Sequence, residues 1–200
     1  MAASWPPRDE GVARSAAVRW VAVLVATLLT ACATTPETAP DRVHTGRFSA
    51  VASQGERRES VSGRFSMEVR RDRRRIDLAT PLGTTVARIE IGPEGASANG
   101  PGMQEARGPD ADALAEQLLG WRLPVSGLPD WIEGRPVPSR PARVERDGSR
   151  LVLIEQDGWT VRLAETFATS ERPRLIILER AASPHAPGVV LRLVVDDPSA

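Results

Sequence analysis

Val61-Ser62-Gly63-Arg64-Phe65-Ser66-Met67-Glu68-Val69 decides the fold class. Its odd positions are apolar or small and its even positions polar or charged, which is the two-residue period of a strand with one buried face. Upstream, Gly46–Ala52 is expected to be its partner, with Phe48 aimed at the core. Downstream, Arg70-Arg71-Asp72-Arg73-Arg74 reads as a solvated hairpin end, after which Ile76 and Leu78 resume the alternation. Thr80-Pro81-Leu82-Gly83-Thr84 is a turn by its Pro and Gly, and a strand carrying Ala87, Ile89 and Ile91 follows it. Gly92-Pro93-Glu94-Gly95 and Asn99-Gly100-Pro101-Gly102 punctuate two further short strands. Loops this short join antiparallel neighbours, because parallel strands need long crossovers.

The period then changes. Asp110-Ala111-Asp112-Ala113-Leu114-Ala115-Glu116-Gln117-Leu118-Leu119-Gly120 has an N-cap residue, acids in its first turn and a terminal Gly. Ala111, Leu114 and Leu118 share one helical face, so a helix is expected here. Leu128–Gly134 is expected to form one or two helical turns, with Pro129 at the start and Gly134 at the end. Arg135–Pro141 is a Pro-rich loop. Strands return at Leu151–Ile154 and Trp159–Leu163, separated by the hairpin signal Gln156-Asp157-Gly158. Leu175–Leu178 and the alternation Val189, Leu191, Leu193, Val195 complete the set. No internal repeat and no second domain is visible. The chain is therefore read as mainly β with a few helices, a single antiparallel sheet with too few helices to cover it. Such a sheet must curl on itself or enclose something apolar.

The amino-terminal side is of another kind. Arg14 and Arg19 precede the apolar run Val21–Leu28, and Leu29-Thr30-Ala31-Cys32 follows, holding the chain's only cysteine. Positive residues, a short apolar core and then small residues form the layout of a secretory signal peptide. The core falls short of the about 20 apolar residues needed to span a bilayer. Leu-Thr-Ala-Cys resembles the lipobox of bacterial lipoproteins, in which the cysteine thiol is acylated and becomes the new amino terminus. Residues 1–31 are then the signal, and residues 32–42 are an acylated start and a flexible tether. Residues 43–197 are one domain. By the same resemblance, Ala33 after the cysteine favours the outer membrane. Two or three acyl chains, at roughly 0.8 kcal/mol per buried CH₂, hold far more firmly than one. The Pro-containing segment Ala33–Asp41 is a solvated tether with a reach on the order of 15–20 Å.

Composition excludes several functions. Loss of the signal takes the 26 basic residues to 23 and the 26 acidic to 24, a net charge of −1. That balance gives no reason to expect nucleic acid as a partner. With Cys32 acylated, no disulfide, thiol nucleophile or thiolate ligand remains. His44 and His185 are read as lying in loop-like contexts at the edges of the domain, without the neighbours of a metal site or triad. Asp110 and Asp112 are read as helix-start carboxylates. No glycine pattern runs from strand to helix as a phosphate loop would. No cofactor, no metal and no enzymatic activity are expected. The core candidates are Phe48, Phe65, Met67, Leu78, Ile89, Trp131, Trp159 and Phe167. They either fill the interior or, with Leu114 and Leu118 on the covering helix, line a cavity for acyl chains. The residues alone leave both readings open, and a structural lipoprotein with a packed core is the alternative.

Several segments taken together resemble the family of outer-membrane lipoprotein receptors, LolB. They are Gly46-Arg47-Phe48, Gly63-Arg64-Phe65, Arg75–Gly83, the Asp110–Gly120 helix, Pro124–Leu128, Trp131-Ile132-Glu133-Gly134 and Gln156-Asp157-Gly158-Trp159. The resemblance implies an incomplete antiparallel β-barrel with a helical lid enclosing an apolar cavity. It implies a monomer, held on the periplasmic face of the outer membrane through lipidated Cys32. Such a protein accepts lipoproteins from the LolA-like periplasmic carrier and releases them into the inner leaflet of the outer membrane. Their acyl chains would lie among Phe48, Phe65, Met67, Leu78, Ile89, Leu114, Leu118, Trp131 and Trp159. Leu82 maps onto the family's exposed loop leucine, which inserts cargo into the membrane. Two departures stand out: Met67 where the family carries a Trp, and a tail, Val194–Pro198, without a Trp.

Overall fold

The two Gly-Arg-Phe triplets meet at the centre of the sheet. In the computed structural model, which describes residues 39–197, strand β1 (Arg42–Gln54) and strand β2 (Arg57–Val69) form an antiparallel pair. Their register sets Gly46 opposite Phe65, Arg47 opposite Arg64, and Phe48 opposite Gly63. Each phenyl ring covers the facing glycine. A Cβ on Gly46 would stand 2.8 Å from Cε1 of Phe65, and one on Gly63 would stand 3.1 Å from Cε1 of Phe48. The same added atoms would also run into the backbone oxygens of Val194 and Ala79. Both glycines are thus packing requirements, and the reciprocal pairs let neighbouring backbones bend past each other.

From β2 the chain walks outward through short hairpins. Strands β3 (Arg74–Ala79), β4 (Thr85–Gly92), β5 (Gly95–Gly100) and β6 (Met103–Gly108) follow in order. A crossover then carries helix α1 (Ala111–Leu119) and the short helix α2 (Leu128–Trp131). The chain returns from the far edge through β7 (Ala142–Asp147), β8 (Arg150–Gln156), β9 (Trp159–Thr166), β10 (Pro173–Arg180) and β11 (Gly188–Val195). The result is one antiparallel sheet of 11 strands in the order β6-β5-β4-β3-β2-β1-β11-β10-β9-β8-β7. First and last strands lie side by side in the middle. The edges β6 and β7 do not pair, so the barrel is incomplete, as the sequence leads one to expect.

One face of this sheet is covered. Cross-strand rows such as Ala50, Leu191, Leu178, Val161 and Ile154 are buried throughout. Helix α1 packs on β5 and β6, where Ala96 and Ala98 allow a close approach. Its ends follow the expected rules. Oδ1 of Asp110 accepts from the Ala113 N–H at 2.8 Å, and Gly120 closes the helix in the left-handed region at φ 77°. Asp112 has a further task, since its carboxylate accepts from the backbone N–H and the hydroxyl of Ser126, both at 2.8 Å. That ties the start of α1 to the segment leading into α2. Among the described residues no helix is long and apolar enough to cross a membrane.

Two readings need correction. β7 occupies Ala142–Asp147, between the Arg135–Pro141 loop and the strand at Leu151–Ile154, where the sequence suggests no element. It is an edge strand exposed at all its positions, so it shows no apolar alternation. His44 is not in a loop. It lies in β1 on the covered face and is 3% exposed. His185 does lie outside the strands and is exposed.

The Gly–Phe pairing predicts a steep local cost. Gly46→Val is expected to lower unfolding stability in urea by about 3 kcal/mol, the upper range for overpacking a core. Ser62→Val, on the open face of β2, should stay within about 0.5 kcal/mol of the parent.

Candidate functional site

Leu82 is 97% exposed, far more than any other large apolar residue described. Its loop is nonetheless fixed. The Thr80 N–H donates to the Thr84 carbonyl at 2.8 Å, the Gly83 N–H to the Thr80 carbonyl at 2.9 Å, and the Thr84 N–H to the Thr80 hydroxyl at 3.2 Å. Gly83 takes φ 94°, open to glycine and rarely to others. Pro81 and Gly83 hold the side chain between them out into solvent. A fully exposed leucine on a braced turn gains nothing for the fold, and burial elsewhere would be worth about 2 kcal/mol.

The remaining candidates gather behind it. Phe65, Met67, Leu114, Trp131 and Trp159 are buried in one apolar cluster on the covered face, and Phe48, Leu78, Ile89 and Phe167 pack against it half-buried. Leu118 is not among them. It stands 41% exposed at the end of α1 beside Leu119, because only the first part of the helix lies under the sheet. Trp121, Val125 and Ile132 of the crossover join the cluster although the sequence did not mark them. Two clefts at the sheet's margins, of about 320 and 480 Å³, are lined largely by polar and charged residues and include only Trp159 of the candidates.

What holds the crossover against the sheet is Gln156, read from sequence only as part of a hairpin. It sits at the end of β8, pointing inward two residues after Ile154, and is 3% exposed. Its Oε1 accepts from the Trp131 indole N–H at 3.0 Å and from the Val137 backbone N–H at 2.8 Å. Its Nε2 donates to the Val137 and Arg140 carbonyls, both at 3.1 Å. Two acceptor sites and two donors are all used, so a buried amide is fully satisfied. Trp131, whose ring lies against Gly127, is thereby pinned under the sheet. Arg140 adds a 2.8 Å pair with Asp157 in the hairpin.

A second polar contact lies further along the crossover. Nε2 of His44 is 3.1 Å from Oε1 of Glu133, without the alignment of a hydrogen bond. Glu133 is also within 3.6 Å of Arg42 and 3.7 Å of Arg172. Burial pushes the His44 imidazole below its ordinary value. Glu133 opposes this, and Arg172, Arg42 and Arg135 add to it. His44 is therefore held neutral. Among the described residues no group of His, Cys, Asp or Glu could hold a metal ion. Cys32 lies outside the described residues.

A braced apolar loop, a one-sided apolar sheet and a latched helical crossover are the features to compare with known proteins. The model for the outer membrane lipoprotein LolB matches residues 43–197. The chain belongs to the LolB family. The outer-membrane lipoprotein LolB of Cupriavidus pinatubonensis is 39% identical over 185 residues, covering 84% of this chain and 88% of that one. That of Cupriavidus necator is 40% identical over 162 residues, covering 80% and 81%. A solved LolA superfamily protein from Nitrosomonas europaea covers 79% of this chain and 86% of its own, at 11% identity and a TM-score of 0.41. Membership in LolB makes the chain an outer-membrane lipoprotein of the lipoprotein-transport machinery, not an enzyme.

Two outcomes follow for the crossover. Gln156→Leu leaves the Trp131 and Val137 N–H groups and two carbonyls without partners. Chemical denaturation should show a loss of about 3 kcal/mol. His44, depressed in the folded state, binds its proton more readily when unfolded. It therefore favours the fold fully above about pH 6.5, and this contribution fades as pH falls below that value. The slope of stability between pH 7 and 5 should be shallower in His44→Gln.

Proposed function

We propose that the chain is a lipid-anchored monomeric receptor that accepts lipoproteins from a LolA-like periplasmic carrier. It then releases them into the inner leaflet of the outer membrane. The anchor is the acylated Cys32. Acyl chains of the cargo are received on the covered face of the sheet, among Phe48, Phe65, Met67, Leu78, Ile89, Leu114, Trp131 and Trp159. Leu118, exposed at the end of α1, stands where an entering chain would first touch apolar surface. Met67 suits this role, because an unbranched thioether repacks around a guest more easily than a rigid ring.

Phe65, Met67, Leu114, Trp131 and Trp159 are shielded from solvent beneath the crossover, so an acyl chain enters as the crossover lifts. Both sheet edges are unpaired, and the crossover that links them is held by α1 at one side and by Gln156 at the other. No nucleotide is needed for the transfer. A 16-carbon chain carries on the order of 12 kcal/mol of transfer free energy from water. The direction is set by modest differences, with the receptor holding the chain better than the carrier and the bilayer better than either.

The observation that carries this reading is the exposure of Leu82 on a hydrogen-bonded loop. An apolar side chain raised on a stiff turn can enter lipid while its strands keep their register. Replacing Leu82 by Glu puts a charge where the hydrocarbon would be, at about 2–4 kcal/mol. The Leu82→Glu chain should still take lipoprotein from the carrier in a pull-down, yet deposit it in liposomes at no more than a few per cent of the parent rate. Deposition at the parent rate would contradict the reading.

A further inference from the structure

Packing explains the Gly and Phe of each Gly-Arg-Phe triplet and leaves the Arg unexplained. Arg47 and Arg64 face each other directly across β1 and β2 on the open face, both exposed. Like charges in that relation repel and weaken the pair of strands. The next row adds to the charge. Ser62 lies opposite Ser49, and Ser49 lies opposite Arg192 of β11, which is also exposed. Among the described residues no carboxylate pairs with Arg47, Arg64 or Arg192. Asp77, diagonal to Arg64, is engaged with Arg88 at 2.6 Å, and Asp196, diagonal to Arg47, with the Thr45 hydroxyl at 3.1 Å. Glu179, opposite Val190, is diagonal to Arg192 and borders the patch on the side away from Arg47 and Arg64, without an ion pair to it. Three arginines and two serines thus share the middle of an open sheet face, with no carboxylate between Arg47 and Arg64 and Glu179 only at its border.

The register also says where this patch lies. Arg64 is opposite Ala79, the last residue of β3, and Thr80-Pro81-Leu82 follows at once. Arg64 thus stands beside the base of the loop that carries Leu82, with Arg47 one strand and Arg192 two strands further along the sheet. Guanidinium forks match phosphate oxygens in pairs, and arginine stems lie along apolar surface while the head stays at the polar boundary. A leucine projecting into hydrocarbon beside arginines at headgroup depth is the arrangement expected at a bilayer surface. The chain is an outer-membrane lipoprotein, so such a surface is within reach of its tether.

We infer that Arg47, Arg64 and Arg192 bind the phosphate groups of anionic phospholipids, setting the depth and tilt at which the Leu82 loop meets the bilayer. This rests on the membrane role proposed for Leu82 and adds its headgroup contact. A phosphate lying between Arg47 and Arg64 replaces their repulsion with two charge-assisted contacts, so the patch is stable when docked and under tension when free.

The test uses the full chain anchored in vesicles of phosphatidylcholine alone or with added phosphatidylglycerol. Phenylglyoxal modification is read at each arginine by mass spectrometry. Arg143 on the exposed edge strand β7 serves as reference. Phosphatidylglycerol should slow modification of Arg47, Arg64 and Arg192 about fivefold relative to Arg143, the effect of one basic residue at an anionic surface. Equal rates in both vesicles overturn the inference. Equal protection by dissolved inorganic phosphate over phosphatidylcholine vesicles also overturns it, by making the patch a site for a soluble anion.

A second readout is lipoprotein deposition into phosphatidylglycerol vesicles. The Arg47→Gln, Arg64→Gln double variant should be slower at low salt, by roughly fivefold for each arginine removed, and should approach the parent at high salt. The double Lys variant should keep most of the rate. Salt-independent slowing, or none, counts against the headgroup contact. Leu82→Glu separates the two claims: normal deposition by that variant ends the insertion reading, while protection of the arginines is still measured on its own.

Discussion

The sheet has a single apolar face and almost nothing helical to put on it. Its central strands alternate buried and open side chains, and only α1 and α2 lie in the long crossover between the two edges. A sheet in that position curls until its own side chains meet. The reciprocal Gly46–Phe65 and Gly63–Phe48 pairs sit across β1 and β2 in the middle of the sheet, and the crossover closes the side that curling leaves open. Nearly every other feature of the molecule answers to that one-sidedness.

The crossover is tied down by polar contacts, and this bears on function. Apolar packing alone would make α1, Trp121, Trp131 and Ile132 a permanent part of the core. Gln156 instead holds the segment by four hydrogen bonds at one end of β8, a discrete latch of known partners. In the function proposed above, lifting of the segment would uncover apolar area for an acyl chain to cover, and exchange of one for the other would cost little.

Much of this was legible in the sequence. The alternation through Val61–Val69 and Val189–Val195, the capping of α1 by Asp110 and Gly120, and the Gln156-Asp157-Gly158 turn all carried their local physics openly. Leu82 was marked by the Pro and Gly around it. What escaped had physical reasons. β7 lies at an edge with both faces in water, so nothing required apolar residues there. His44 looked like a loop residue because a polar side chain on the inward side of a strand breaks the alternation that identifies strands. Gln156 resembles turn chemistry in sequence, and its role depends on Val137 and Arg140, which only the fold brings near. The facing of Arg47 and Arg64 is likewise a matter of register, which two similar triplets suggest but do not fix.

The central claim is that hydrocarbon chains find a place between the crossover and the sheet. The direct measurement is titration of the domain from Pro40 onward with an apolar fluorescent probe, followed by displacement with palmitate. Saturable binding near one probe per chain, reversed by the fatty acid, is the result expected. A domain that binds neither, and whose buried tryptophan emission is unmoved by palmitate, would be a packed scaffold, and the receptor reading would be wrong.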